Sequence, residues 1–273
     1  MEQRTYIVDA YTPREIAAKV ESLGVAKART DSFTVLVLAV LAGAFISLGA
    51  LFFTVVVADA RLGFGVTRLL GGLSFCLGLI LVVVAGAELF TGNNLLAMAW
   101  ASSLIGTRDV MRNWCLAYVG NVIGCLGTVL LVVLGDIASL GGGAVGQGAI
   151  QIASTKANLS MGDAFARGVG CNALVCLAVW LSMGGRSVTD KILAILFPIT
   201  AFVAVGFEHS IANWFFLPFG FILDQQGSLS IVAMGRNLIA VTAGNIAGGT
   251  LLVAAVYWFA YLRGARRRQD LHP

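Results

Sequence analysis

The sequence predicts an all-α membrane protein with six transmembrane helices, arranged as a 3+3 inverted repeat in which the second and fifth helices are broken. Hydrophobic residues make up 58% of the 273 residues and charged residues only 12%, against roughly 25% charged in soluble domains. Six long stretches carry no charge, and one glutamate-containing motif occurs twice. These observations exclude a water-soluble domain.

The N-terminal segment, residues 1–30, is predicted to be cytoplasmic and amphipathic. Met1–Arg29 carries five basic and four acidic residues before the first apolar stretch, which is unlike a cleaved signal peptide. Thr12 and Glu15 form a capping-box pattern around Pro13, and apolar residues then recur on one face. We expect a short helix that lies against the membrane surface or a pore mouth.

A six-span membrane domain is predicted over residues 31–263, followed by a basic cytoplasmic tail over residues 264–273. A helix needs about 17–25 apolar residues to cross a bilayer. Five of the six uncharged blocks reach that length, and the block that begins at Ile192 is slightly short. The blocks are Phe33–Ala58, Leu69–Ala87, Trp114–Gly135, Gly168–Gly185, Ile192–Phe207 and Leu238–Leu262.

The distribution of lysine and arginine predicts the orientation. Six spans place both termini on one side, which holds thirteen of these residues, whereas the other side holds five. Basic residues favour the cytoplasmic side of short loops. We therefore expect a multi-pass protein of the inner (plasma) membrane with both termini in the cytoplasm.

Two motifs recur in the same order in each half of the chain. The pattern Gly-x-Glu-x4-Asn occurs at residues 86–93 and 206–213, and the pattern Asn-x6-Gly-Asn-x2-Gly occurs at residues 113–124 and 237–248. Each half then holds three spans, so the second half enters the membrane inverted relative to the first. In inverted repeats the functional site usually lies near the midplane between the halves.

Both copies of the glutamate motif interrupt hydrophobic sequence, so we expect the helices to break there beside a water-accessible passage. We assign Glu88, Asn93, Glu208 and Asn213 to the support of these breaks, and expect both glutamates to accept hydrogen bonds from the unwound backbone. The Gly-Asn pairs of the second motif are typical of closely packed helices joined by hydrogen bonds.

Four polar residues are candidates for a passage through the membrane. His209 is the one group in the predicted membrane domain that titrates near neutral pH, and ionisable residues at that depth are usually functional. Thr91 offers a hydroxyl at the first break. For Asn172, a helix-to-helix hydrogen bond and pore lining are equally supported. Lys156 lies in a Gly-rich loop over residues 139–160 and, taken alone, is an ordinary solvated lysine.

No enzyme, cofactor or metal site is predicted. The five cysteines all lie in apolar blocks without CxxC spacing and are interpreted as buried packing residues. One membrane histidine with scattered cysteines supplies neither a metal cluster nor a nucleophile with its base.

Five segments resemble the signature segments of the formate/nitrite transporter family. They lie within Ala87–Asn93, Asn113–Gly124, Cys171–Trp180, Gly206–Asn213 and Asn237–Gly248, and the match extends from about Ala28 to Arg263. The resemblance implies an aquaporin-like protomer with its own pore, and a homo-oligomer of five protomers in the lipid bilayer.

The resemblance also implies roles for individual residues. One hydrophobic constriction falls on Phe75, Val175 and Phe202, and the other on Leu79, Leu89 and Phe90. Thr91, Asn172 and His209 are implied as polar contacts between them, with Lys156 in a vestibule.

The resemblance implies a small monovalent anion as the substrate and no nucleic acid as a partner. Residues 185–191, residues 206–213 and Pro218 look closest to the formate branch. Residues 92–94 and the short connection after Leu223 depart from it, so nitrite and hydrosulfide stay as alternatives. An aquaporin-type channel for neutral solutes would carry two Asn-Pro-Ala motifs, and the sequence has none.

These residues suggest a mechanism. Lys156 attracts the anion, the hydrophobic rings remove its water, and Thr91, Asn172 and His209 receive it. A bare anion is costly in a medium of low dielectric constant, whereas a neutral acid crosses more cheaply. A proton delivered at His209 would give anion–proton symport in acid and channel-like flow when the ring is neutral.

Overall fold

The structure is a computed structural model that describes residues 10–263. Every regular element in that range is helical, and six helices are long and apolar enough to cross a membrane. The predicted tail, residues 264–273, lies outside the described residues. The six membrane-capable helices are Ser32–Val57, Phe64–Gly86, Thr107–Leu134, Met161–Gly184, Val188–Val205 and Ile231–Leu262.

Ten α-helices follow one another along the described range. They are α1 (Pro13–Arg29), α2 (Ser32–Val57), α3 (Phe64–Leu81), α4 (Leu96–Ala101), α5 (Thr107–Leu134), α6 (Ala144–Ala157), α7 (Met161–Gly184), α8 (Val188–Val205), α9 (Ser210–Leu223) and α10 (Ile231–Ala247). A π-helical turn, Val82–Gly86, extends α3, and two further π-helical stretches, Gly248–Ala255 and Trp258–Leu262, extend α10.

The six predicted spans are confirmed, but five of the six helices begin four to seven residues before their apolar blocks. Helix α5 begins at Thr107, seven residues before Trp114, because the Asp109 carboxylate accepts a hydrogen bond of 2.9 Å from the Gly106 N–H. Helix α8 begins in the same way, since the Asp190 carboxylate accepts from the Ser187 N–H at 2.9 Å. A carboxylate in the first turn of a helix is favoured by the helix dipole, so these charged residues are part of the helices.

Helix α1 begins at the predicted capping box. The Thr12 hydroxyl accepts from the Glu15 N–H, and the Glu15 carboxylate accepts from the Thr12 N–H at 2.7 Å. Ile16 and Val20 on the apolar face are buried in a cluster with Trp180 of α7 and residues from the end of α10. The helix is thus packed onto the body of the protein.

The expectation of a Gly-rich loop over residues 139–160 is wrong. Glycine is concentrated at residues 141–143, which have positive φ, and the chain then forms helix α6. Helix α6 packs on α9, where the backbone of Gly220 lies against Ala149 and Ala153. Lys156 therefore lies in the last turn of a packed helix.

The expected close packing at the Gly-Asn pairs is confirmed, since Gly120 lies against the Leu36 carbonyl and Gly244 against the Phe165 carbonyl. Gly124 of α5 faces the carbonyl of Val40 in α2, and Gly248 faces the carbonyl of Val169 in α7. A Cβ atom at either glycine would collide with that carbonyl. Four cysteines are buried as expected, whereas Cys115 on α5 is exposed.

Candidate permeation site

The backbone leaves helical geometry at residues 87–91, the first non-helical segment. Two of its amides find partners on neighbouring helices: Glu88 N–H donates to the Leu38 carbonyl at 3.2 Å, and Phe90 N–H donates to Asn121 Oδ1 at 2.9 Å. The Asn121 amide group donates in turn to the carbonyls of Glu88 and Ala39, at 2.9 and 2.7 Å. A single asparagine on α5 thus satisfies groups that have lost their helical partners.

The second non-helical segment, residues 206–209, is held in the same way. Glu208 N–H donates to the Arg167 carbonyl at 3.3 Å, and Ser210 N–H donates to Asn245 Oδ1 at 2.8 Å. The Asn245 amide group donates to the carbonyls of Glu208 and Gly168, at 3.0 and 2.8 Å. Asn245 lies 124 positions after Asn121, so the repeated motif places the same amide at both segments.

The two glutamate carboxylates accept from lysine and asparagine side chains. Glu88 lies 3.0 Å from Lys27 Nζ and accepts from Asn93 Nδ2 at 2.6 Å. Glu208 lies 3.0 Å from Lys156 Nζ and accepts from Asn213 Nδ2 at 2.7 Å.

The expectation that these carboxylates accept hydrogen bonds from the unwound backbone is not met. A lysine lies close enough to neutralise each carboxylate, which an amide cannot do, and Asn121 and Asn245 serve the backbone instead. Asn93 and Asn213 link each carboxylate to the next helix, since they also donate to Asn113 and Asn237 at 2.8 Å.

His209 and Thr91 meet between the two non-helical segments. His209 Nε2 lies 2.9 Å from Thr91 Oγ1, and both residues are buried. His209 Nδ1 accepts from the Ala212 N–H at 3.1 Å, as the N-cap of α9. In the neutral ring the proton is then on Nε2, which donates to the threonine oxygen.

Asn172 joins three elements. Its Nδ2 lies 2.7 Å from Asn94 Oδ1, 2.7 Å from the Asn245 carbonyl and 3.2 Å from the Thr91 carbonyl. Of the two interpretations open from the sequence, these contacts favour the helix-to-helix link. Asn172 fixes the position of Thr91 through the Thr91 main chain.

Two cavities open at opposite ends of the helices. The Lys156 cavity has a volume of about 250 Å³ and lies near the end of α2 and the start of α3. Its floor includes Phe75, Phe202 and His209. The Lys27 cavity has a volume of about 330 Å³ and lies near the start of α2 and the end of α3. Leu79 and Leu89 are among its lining residues.

A thin apolar layer separates the two cavities. Phe75 lines one cavity and Leu79 the other, four residues apart on α3, which is about 6 Å along a helix axis. The rings of Phe75 and Phe202 meet edge to face with centroids 5.5 Å apart. All four lining residues, Phe75, Leu79, Leu89 and Phe202, are buried. We call this layer the seal.

The remaining two residues of the implied constrictions lie in the hydrophobic core without lining either cavity. Val175 is buried on α7. The Phe90 ring packs against Trp114 and Tyr118 of α5, with centroids 6.3 and 4.9 Å away. Both belong to the same hydrophobic core cluster as the residues of the seal.

Three basic residues of the site are missing from the sequence-based prediction: Lys27, Arg68 and Arg167. Arg68 and Arg167 line the Lys156 cavity, and Lys27 lines the cavity named after it. The signal for Lys27 is a Lys-Ala pair at residues 27–28 that recurs at residues 156–157, but two residues are too few to stand out without the fold.

Six membrane-capable helices around two cavities that meet at an apolar seal define a membrane channel or transporter. The sequence also matches the family model for formate/nitrite transporters over residues 14–259. The chain belongs to the formate/nitrite transporter family of anion channels. The resemblance noted from the sequence is therefore confirmed.

Similar proteins and structures cover nearly the whole chain. The formate channel FocA of Escherichia coli strain K12 is 39% identical, over 93% of this chain and 96% of that protein. A probable formate transporter of Methanothermobacter thermautotrophicus is 38% identical, over 92% of this chain and 97% of that protein.

Two solved structures are also similar. A pentameric formate channel with formate bound matches with a TM-score of 0.80 at 39% identity, over 85% of this chain and 98% of that one. An ion channel of the same family matches with a TM-score of 0.82 at 27% identity, over 90% and 98%.

Proposed function

We propose that this chain conducts formate between the Lys156 and Lys27 cavities through the seal, and that the His209–Thr91 pair is the polar contact inside it. The 2.9 Å contact between the two side chains, at the floor of the Lys156 cavity, carries the proposal. The similarity to formate channels supports formate as the anion.

In this mechanism each cavity presents a lysine to the entering anion, Lys156 on one side and Lys27 on the other. The seal strips the water, which excludes hydrated cations and large solutes. His209 donates from Nε2 to the oxygen of the passing anion in place of Thr91. In acid, a ring that has taken up a second proton passes one to the anion, which yields a neutral acid and restores the neutral ring, and the low-dielectric seal is a smaller barrier for that acid.

We also propose that the protein is an aquaporin-like inverted repeat whose second and fifth membrane helices are broken. Equivalent contacts in the two halves support it. Each half has a lysine and an asparagine on the glutamate and a second asparagine on the non-helical backbone: Lys27, Asn93, Glu88 and Asn121 in the first half, and Lys156, Asn213, Glu208 and Asn245 in the second. Two such halves place equivalent groups at opposite ends of one pathway.

Assembly and location belong to the proposal as well. The similarity to a pentameric channel supports a ring of five protomers. The excess of basic residues on the side of both termini supports an inner-membrane protein whose termini face the cytoplasm. In that orientation the Lys156 cavity opens away from the cytoplasm.

Flux measurements on two His209 variants test the role of the histidine. His209→Asn keeps a side-chain acceptor for the Ala212 N–H but cannot titrate, whereas His209→Phe removes both functions. We expect both variants to lose the acid-dependent part of formate uptake in liposomes, and only His209→Phe to lower the thermal stability. A His209→Asn channel with the full wild-type rate and pH profile would eliminate the role.

Uptake into the same liposomes identifies the transported anion and tests the alternative of a neutral-solute channel. Uptake of formate, nitrite and hydrosulfide is compared across pH, and we expect formate to be fastest. A faster nitrite or hydrosulfide flux would move the chain to another branch of the family. Osmotic swelling that outpaces all anion flux would favour a neutral-solute channel instead.

A further inference from the structure

The two cavities differ in charge. Among the residues that the structure describes, the charged groups lining the Lys27 cavity are Lys27 and Glu88, which neutralise each other. The Lys156 cavity contains Arg68 and Arg167 in addition to the Lys156–Glu208 pair. It therefore carries two positive charges that no carboxylate in its lining compensates.

Arg68 is held in place by the end of helix α8. Its Nε donates to the Ala204 carbonyl at 2.9 Å, and its second guanidinium nitrogen donates to the carbonyl of Val203. These carbonyls lie in the last turn of α8, where main-chain partners run out, although the Val203 carbonyl also accepts from the Gly206 N–H at 3.2 Å. The guanidinium is thereby fixed in the cavity wall with further N–H groups left to donate.

Arg167 supplies the second charge at the rim of the same cavity. Its main chain is anchored because its carbonyl accepts from the Glu208 N–H at 3.3 Å. Within residues 10–263 its guanidinium has neither an ion pair nor a hydrogen bond. A guanidinium in this condition is suited to bind a carboxylate through two parallel hydrogen bonds.

We propose that Arg68 and Arg167 form a binding site for small dicarboxylate anions, which enter the Lys156 cavity, stay there and block it from that side. The cavity, of about 250 Å³, has room for an anion of three or four carbons. Passage through the seal would require the second charge to lose its water as well, and burying an unpaired charge is very costly. The binding step stands by itself, whereas the block rests on the proposed function.

Calorimetric titration of the purified protein with malonate tests the binding step. We expect malonate to bind more tightly than acetate, and Arg68→Gln and Arg167→Gln each to weaken it by roughly tenfold, since each removes a charge-assisted contact. Arg61→Gln is the matched control, because Arg61 lies at the same end of the molecule with its side chain 86% exposed and outside the cavity. Equal affinity in wild type and Arg167→Gln would overturn the site.

Planar-bilayer recording of single insertions tests the block. Malonate added to one chamber is expected to reduce the formate current, and malonate in the other chamber to leave it unchanged. Equal block from both chambers would overturn the one-sided block. A protein that binds malonate through Arg167 but carries no formate current would overturn the proposed function and leave the binding site supported.

Discussion

At the level of single residues, two lysines neutralise the two carboxylates of the non-helical segments. The Lys156 side chain is 14% exposed and that of Glu208 6%, whereas Lys27 and Glu88 are 32% and 12% exposed. A buried ion pair contributes little beyond a well-packed apolar pair, but removal of one partner leaves an uncompensated charge. The more deeply buried pair should therefore be the more sensitive to substitution.

Lys156→Met is expected to lower the free energy of unfolding by about 3 kcal/mol, because it leaves the Glu208 carboxylate buried without its cation. Lys27→Met, the matched variant in the other half, should cost less, because water reaches that pair more easily. Thermal unfolding in detergent shows which of the two variants loses more stability. The double variant Lys156→Met/Glu208→Gln should recover part of the loss, and no recovery would contradict the charge argument.

At the level of helices, close crossings depend on glycines that are already visible in the sequence. Gly124 lets α5 approach the carbonyl of Val40 on α2, and Gly248 does the same between the end of α10 and α7. The approach aligns Asn121 and Asn245, each three residues earlier, with the non-helical segments. The glycines that allow the close crossings thus also position the asparagines that hold the non-helical segments.

Gly124→Ala is expected to destabilise the protein by about 1–3 kcal/mol, because the added methyl group meets a backbone carbonyl that cannot move aside. Gly127→Ala is the control on the same helix, since a Cβ atom there has no neighbour within 4 Å. It should be neutral or slightly stabilising through helix propensity. Equal melting temperatures for the two variants would argue against the close crossing.

Helix α1 should respond to acid through its N-cap. The Thr12 N–H and hydroxyl donate to Glu15, and these hydrogen bonds lower the pKa of its carboxyl group. Since the folded-state pKa is depressed, the stabilisation is complete above the unfolded value of about 4.3 and is lost as the pH falls through the folded pKa. Glu15→Gln should remove this pH dependence.

Amide hydrogen exchange over residues 13–29, corrected for the intrinsic rate, measures the effect. Protection in the wild type should decline at acid pH, and the Gln variant should show weaker but pH-independent protection. An identical decline in both would place the acid response elsewhere. Deletion of residues 1–29 is a poorer test, because it also removes Lys27 from the site.

For the molecule as a whole, the essential feature is that the two cavities are separated by about one helical turn of α3. Phe75 and Phe202 close one side of the seal and Leu79 and Leu89 the other. In the proposed mechanism, one small anion crosses this layer and meets one polar contact inside it. The seal rather than either cavity should therefore decide which solutes pass.

Leu79→Ala is expected to widen the seal and raise the ratio of acetate to formate flux by several-fold, because it removes three buried carbon atoms between the cavities. Leu77→Ala is the matched control, since Leu77 lies on the same helix with its side chain exposed. Uptake of both labelled anions into liposomes gives the ratio. An unchanged ratio in Leu79→Ala would place selectivity outside the seal.

The sequence by itself determined the six spans, the capping box of α1 and the family, because hydropathy, spacing and repeated motifs are local or periodic in the chain. It also identified His209 and Thr91 as candidates, although 118 residues separate them. Only the tertiary structure decided which groups neutralise Glu88 and Glu208, because Lys27 and Lys156 reach them from 61 and 52 residues away.

The tertiary structure also turned the expected loop into α6 and brought Arg68 and Arg167 into the Lys156 cavity. No spacing rule connects these residues, since their proximity depends on how α3, α7 and α8 pack. Patterns along a chain record which residues must be buried in lipid. The pairing of charges inside the protein is a property of the packed helices.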